Sequence, residues 1–125
     1  MGENKEYVMQ TQKFGSVNIS NEVVSSIAAM AASEVEGVCG LAASMGADIA
    51  ELLGKKSLHK GVKVTMLDEG IDVICNVVLY YGYSIPETSG KIQDEVSAAL
   101  ESMTGLSVRS VNVNVCGISL NEQAQ

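Results

Sequence analysis

Val62-Lys63-Val64-Thr65-Met66-Leu67-Asp68-Glu69-Gly70-Ile71-Asp72-Val73-Ile74-Cys75-Asn76-Val77-Val78-Leu79-Tyr80-Tyr81 is the stretch that decides the fold. Val62, Val64 and Met66 alternate with Lys63 and Thr65, the period of a strand with one wet face. Leu67 to Gly70 reads as a turn, with Gly70 available for positive φ. Ile71 to Tyr81 is a second, longer strand, so the two form a hairpin. That long strand is apolar on both phases: Ile71, Val73, Cys75, Val77 and Leu79 on one, Ile74, Val78 and Tyr80 on the other. A strand of this kind is covered on both faces, or covered on one and adhesive on the other.

Working outward, Gly82 to Ser84 ends the long strand and Pro86 suits the first turn of a helix, where no amide partner is lost. The spacing predicts a helix over 86–103, with Ile92, Val96, Ala99, Leu100 and Met103 on one face and Gly105 as its stop. Val111-Asn112-Val113-Asn114-Val115-Cys116 alternates strictly and predicts a last strand, Val inward and Asn outward. Upstream, residues 14–19 alternate as a short strand. Ser20 is a good N-cap, and Glu22 suits the positive end of a helix. Val23, Ile27, Met30, Ala31 and Val35 recur at helical spacing over 21–35. A short further helix is expected at 47–53. The order is β-α-(α)-β-β-α-β, which predicts an α+β fold: a mostly antiparallel sheet with two main helices on one face. Residues 1–13 are expected to be a flexible N-terminal arm, 14–120 a single domain and 121–125 a polar tail.

Composition narrows the function. The 125 residues carry 15 acids and 8 bases, a net charge of −7. Nucleic-acid affinity comes mostly from Lys and Arg neutralising phosphates, so DNA is excluded as a partner; anionic lipid is disfavoured by the same sign. No run resembles a secretion signal, and none approaches the length needed to span a bilayer, so a cytoplasmic protein without direct membrane insertion is expected. Cys39, Cys75 and Cys116 show no CxxC spacing and read as reduced, buried thiols; a redox or nucleophilic role, the alternative, needs a base nearby, and His59 lies in an unrelated segment. Catalysis finds no constellation: there is one His, His59, and no GxSxG elbow. Asp68/Glu69 and Asp94/Glu95 read as a solvated turn and an exposed helix face. Neither a metal-ligand set nor a phosphate or dinucleotide loop is present, so no enzyme, metal or cofactor is expected.

Three features remain. Gly37-Val38-Cys39-Gly40 is a literal GxxG; it is either the loop of a KH-like RNA-binding domain, gripping with Gly37 and Gly40, or the glycine-terminated end of a helix. Lys55, Lys56 and Lys60 form a basic patch, either for an acidic partner or as an ordinary solvated loop. Ile74, Val78 and Tyr80 form an apolar stripe, with Lys63, Thr65, Asn112 and Asn114 as polar neighbours. That stripe is either a partner or self-association surface, or the seat of the N-terminal arm through Tyr7, Val8 and Met9.

Five ordered blocks then carry a resemblance. They are Gly15-Ser16-Val17-Asn18-Ile19-Ser20-Asn21-Glu22-Val23-Val24; Glu34-Val35-Glu36-Gly37-Val38; Lys60-Gly61-Val62-Lys63-Val64; Tyr81-Gly82-Tyr83-Ser84-Ile85-Pro86-Glu87 with Ile92-Gln93; and Met103-Thr104-Gly105-Leu106-Ser107-Val108 with Val111-Asn112-Val113-Asn114-Val115. The chain resembles the alkaline-shock/Gls-type envelope stress family of Gram-positive bacteria over residues 14–118. The resemblance implies a small cytoplasmic protein of envelope homeostasis or its lipid-precursor metabolism. It implies a protein partner, either a membrane-anchoring protein or a subunit of acetyl-CoA carboxylase, and brings no catalytic residues. A homo-oligomer is a further expectation.

Overall fold

The structure, a computed structural model, describes residues 7–12, 14–42 and 61–120. The expected helix at 47–53, and Lys55, Lys56, His59 and Lys60, lie outside the described residues. In chain order the elements are β1 (Tyr7–Gln12), β2 (Gly15–Ser20), α1 (Asn21–Ser33), β3 (Val38–Leu41), β4 (Val62–Leu67), β5 (Gly70–Tyr80), α2 (Ile85–Thr104) and β6 (Val108–Ser119).

The hairpin forms as its alternation predicts. Leu67 pairs with Gly70 across Asp68-Glu69, and the register runs to Val62 opposite Cys75. Gly70 takes φ 143°, and a side chain there would meet the Ser107 carbonyl. β5 is the centre of the sheet. The Asn76 amide donates to the Gly61 carbonyl and the Asn76 carbonyl accepts from the Ala42 amide, both at 2.7 Å. Strands β4 and β3 therefore share one edge of β5 end to end, both antiparallel. β6 takes the other edge in parallel register, joined to β5 through α2 as a crossover.

Local signals place the helices. The Ser20 hydroxyl accepts from the Val23 amide at 3.2 Å, and the Ser84 hydroxyl from the Glu87 amide at 3.3 Å, so both N-termini are capped. Pro86 lies in the first turn of α2, and Gly105 closes it in the left-handed conformation at φ 76°. Both helices cover one face of the sheet. Val24, Ala28 and Ala32 of α1 and Ile92, Val96 and Leu100 of α2 are buried against Val62, Val64, Met66 and the odd residues Ile71 to Leu79 of β5. Each of the larger aliphatic chains contributes roughly 1.5–3 kcal/mol by leaving water.

Several expectations change; on α2, Met103, expected on the apolar face, is mostly exposed, at 68%. On α1 the buried stripe is Val24, Ala28 and Ala32, whereas Val23 and Met30 stay about half exposed, at 48% and 50%. Small side chains let α1 approach α2 and the sheet closely, and the larger ones are turned out. Residues 7–12, read as part of an arm without periodicity, form β1, paired antiparallel with β2 in a separate two-stranded sheet. Val38 to Leu41 is strand rather than a break, with Val38 opposite Leu79 and Gly40 opposite Val78.

Candidate contact surface on the open face of the sheet

With the odd residues of β5 turned to the helices, its even residues line the opposite face. Asp72, Ile74, Asn76, Val78 and Tyr80 are all half-buried there. The register supplies their neighbours. Lys63 and Asn112 stand on either side of Ile74, and Asn114 stands beside Asn76, with the Asn114 amide donating to Asn76 Oδ1 at 2.9 Å.

The surroundings of Val78 are distinctive. Its neighbour on β3 is Gly40 and its neighbour on β6 is Gly117. Neither carries a side chain, so Val78 lies in a trough one residue wide on each side. Each glycine follows a cysteine at an irregularity in strand register: Val38-Cys39-Gly40-Leu41 on β3 and Val115-Cys116-Gly117-Ile118 on β6. These two short segments repeat one pattern, and sequence reading missed it; the repeated Val-Cys-Gly-aliphatic string was the available signal. Bulges of this kind re-aim side chains, and Cys39 and Cys116 are both exposed rather than buried as their sequence reading predicts.

The ends of the face are polar and better fastened. Toward Tyr80, burial and then the Cys39 thiol, with which it shares a hydrogen bond, push the phenol above its ordinary value; Tyr83 adds to the effect. Tyr83 lies against Gly37, where an added Cβ would come within 2.8 Å of its ring. The Tyr83 hydroxyl also reaches Glu36 at 3.5 Å. At the other end, Arg109 pairs with Glu69 at 3.3 Å and with Asp72 at 3.5 Å, and the Ser110 hydroxyl donates to Asp72 at 3.0 Å. Between these ends, Ile74, Asn76, Val78, Asn112 and Asn114 form an uncharged strip, with Lys63 at its margin beside Ile74, on a chain whose net charge is −7.

Of the sequence candidates, Ile74, Val78 and Tyr80 therefore fall on one continuous face. Gly37 and Gly40 do not form the loop between two helices that a KH-like grip needs. Gly37 turns the chain out of α1 at φ 101° beneath Tyr83, and Gly40 is a rung of β3. The pairing of Val38 and Leu41 with β5 overrides the local GxxG pattern. The third cysteine, Cys75, is wholly buried in the core, and burial pushes its thiol up to about 11. Among the described residues no group of three or more His, Cys, Asp or Glu side chains is placed to hold a metal ion. No helix among them is long and apolar enough to cross a membrane.

The alkaline-shock protein family, described as having a cell envelope-related function, matches residues 9–120. The chain belongs to this family. The alignment of this chain with the uncharacterized protein YqhY of Bacillus subtilis (strain 168) is 37% identical over 111 residues, 89% of this chain and 82% of the relative. A stress response regulator gls24 homolog of Streptococcus pyogenes is 27% identical over 110 residues, 87% of this chain but 62% of the relative. The alkaline-shock/Gls-type resemblance read from the five sequence blocks thus holds. Among solved structures, the copper form of the MamM CTD overlaps 83% of this chain and 92% of its own, at TM-score 0.49 and 15% identity, a likeness too slight to argue from.

Proposed function

We propose that this member of the alkaline-shock family is a non-enzymatic protein-interaction module of cell-envelope stress and homeostasis, and that it binds its partner through the open face of β5. The single observation that carries this reading is the uncharged strip with Val78 between two glycines. A trough floored by valine and flanked by bare backbone admits an aliphatic side chain from a partner. Ile74 and Tyr80 flank it along the strand, and the Asn76–Asn114 pair offers amide groups at its side. Contact centred on Val78, four residues along β5 from Ile74 and its neighbour Lys63, removes apolar area from water without desolvating a charge, which is where association energy concentrates.

In this reading the chain works in the cytoplasm and reaches the membrane through its partner. The partner is either a membrane-anchoring protein or a subunit of acetyl-CoA carboxylase, the two classes that the family resemblance implies. The Lys55, Lys56 and Lys60 patch is a second contact for an acidic partner. The geometry gives no support to RNA as a ligand of the Gly37–Gly40 segment.

The test is in-cell crosslinking of the full chain and of Val78→Lys, followed by identification of the attached proteins. An anchoring membrane protein or a carboxylase subunit joined to the wild type and lost from Val78→Lys is the expected result. If neither is joined to the wild type, or if either is joined equally to the variant, the reading fails.

A further inference from the structure

The outer edge of β6 carries a second, independent surface. The Ile71 amide donates to Ser107 and the Tyr81 amide to Ser119, each at 2.9 Å, so the odd residues of β5 address β6. In a parallel ladder each such residue bonds to the neighbours of its register partner, and the partner's own N–H and C=O turn away. The partners of Val73, Cys75 and Val77 are Val111, Val113 and Val115. Their backbone groups therefore point outward, and among the described residues β6 pairs with no strand but β5.

Part of this edge is closed by α2. The Val108 amide donates to the Glu101 carboxylate at 3.3 Å, and Gln93 Nε2 donates to the Val111 carbonyl at 3.0 Å. A carbonyl has a second lone pair, so Gln93 leaves Val111 able to accept again. Between Val111 and the irregularity at Cys116-Gly117 the edge shows none of the devices that keep strand edges apart. From Ser110 to Asn121 there is no charged residue and no proline.

The sequence of the edge is also its own complement. Val111-Asn112-Val113-Asn114-Val115 reads the same in both directions. In an antiparallel pairing centred on Val113, Val113 meets its own copy, Val111 meets Val115 and Asn112 meets Asn114. All three valines turn their backbone groups outward, so each valine rung is a hydrogen-bonded pair. Valines meet valines on the helix side of the sheet, and asparagines meet asparagines on the open side. Matched cross-strand neighbours of this kind stabilise a sheet. Charge does not oppose this occupant at the edge itself. Two copies that each carry −7 repel over most of their surfaces, and this strip lets them approach without opposing like charges.

We infer that β6 is the interface of a homodimer in which two copies join edge to edge, antiparallel about Val113, into one continuous sheet. The arrangement is isologous, so it closes at two copies. It leaves the Val78 trough of each copy uncovered, and stands or falls separately from the partner proposed above.

The test is sedimentation equilibrium of the full chain, under reducing conditions, over a dilution series, with circular dichroism to verify folding. Wild type is expected to be a dimer. Asn112→Lys with Asn114→Lys places like charges across both asparagine rungs while moving the net charge toward zero; its dimer dissociation constant is expected to rise by roughly tenfold or more. Asn112→Lys with Asn114→Glu places opposite charges across the same rungs, and the dimer is expected to persist. A monomeric wild type, as when another part of the chain covers the edge, overturns the inference. So does a folded Asn112→Lys, Asn114→Glu variant that is monomeric, or a Lys–Lys variant that associates as the wild type does.

Discussion

The two faces of β5 are made of the same kind of residue and have different fates. Val73, Val77 and Leu79 are wholly buried beneath α1 and α2, whereas Ile74, Val78 and Tyr80, interleaved with them, are half-buried on the other side. A strand that only had to stabilise the fold would carry polar residues at those even positions, as β6 does with Asn112 and Asn114 and β4 does with Lys63. Hydrophobicity on the open face does little for the core, so it invites a reason outside the domain. Adjacent residues of one strand separate the two roles, and paired substitutions test the separation.

The largest effect is expected from Val77→Lys. It buries a charge with no partner in the aliphatic core to which Ile92 and Val96 also belong, a mechanism that costs about 3–5 kcal/mol or more, a large share of the stability of a small domain. Circular dichroism and thermal melting are expected to show a protein without a cooperative transition at ordinary temperatures. A folded Val77→Lys with a near-normal melt would mean that the face beneath the helices is not the core.

An intermediate effect divides the three cysteines along the same line. The buried Cys75 thiol ionises only near 11 in the folded chain, against 9.0 for an ordinary thiol. Below pH 9 the thiol is neutral whether folded or not and contributes no pH dependence. As pH rises from 9 to 11 the unfolded chain releases this proton and the folded chain does not, so folding stability falls by up to about 2 kcal/mol. Urea unfolding of wild type and Cys75→Ala across that window should show a steeper alkaline loss in wild type. Parallel slopes would remove the desolvation argument.

Much of this was legible in the sequence, and the reasons differ by element. The β4–β5 hairpin and α2 carry their own punctuation: strict alternation around Asp68-Glu69-Gly70, a Ser84 cap, Pro86 at the start and Gly105 at the end. The stripe of Ile74, Val78 and Tyr80 followed from the phase of one strand. What escaped depends on distant partners. β3 is four residues long and looks like a glycine break until Val38 finds Leu79 and Gly40 finds Val78. β1 has no clean period, and its pairing with β2 defines it. On α1, apolar spacing favoured Val23, Ile27 and Met30, but closeness of approach selected Val24, Ala28 and Ala32, because alanine permits a tighter contact than methionine. The trough around Val78 needs three strands in register at once, and periodicity along one strand cannot supply that.

The smallest expected effect is also the most direct test of the division between the faces: the equilibrium stability of Val78→Lys in urea. If the even face of β5 is kept apolar for contact rather than for folding, a lysine there keeps its charge in water above the flanking glycines, and stability stays within about 1 kcal/mol of wild type. A loss of about 3 kcal/mol or more, approaching that of Val77→Lys, would mean that the open face is itself part of the core and is not free to bind anything.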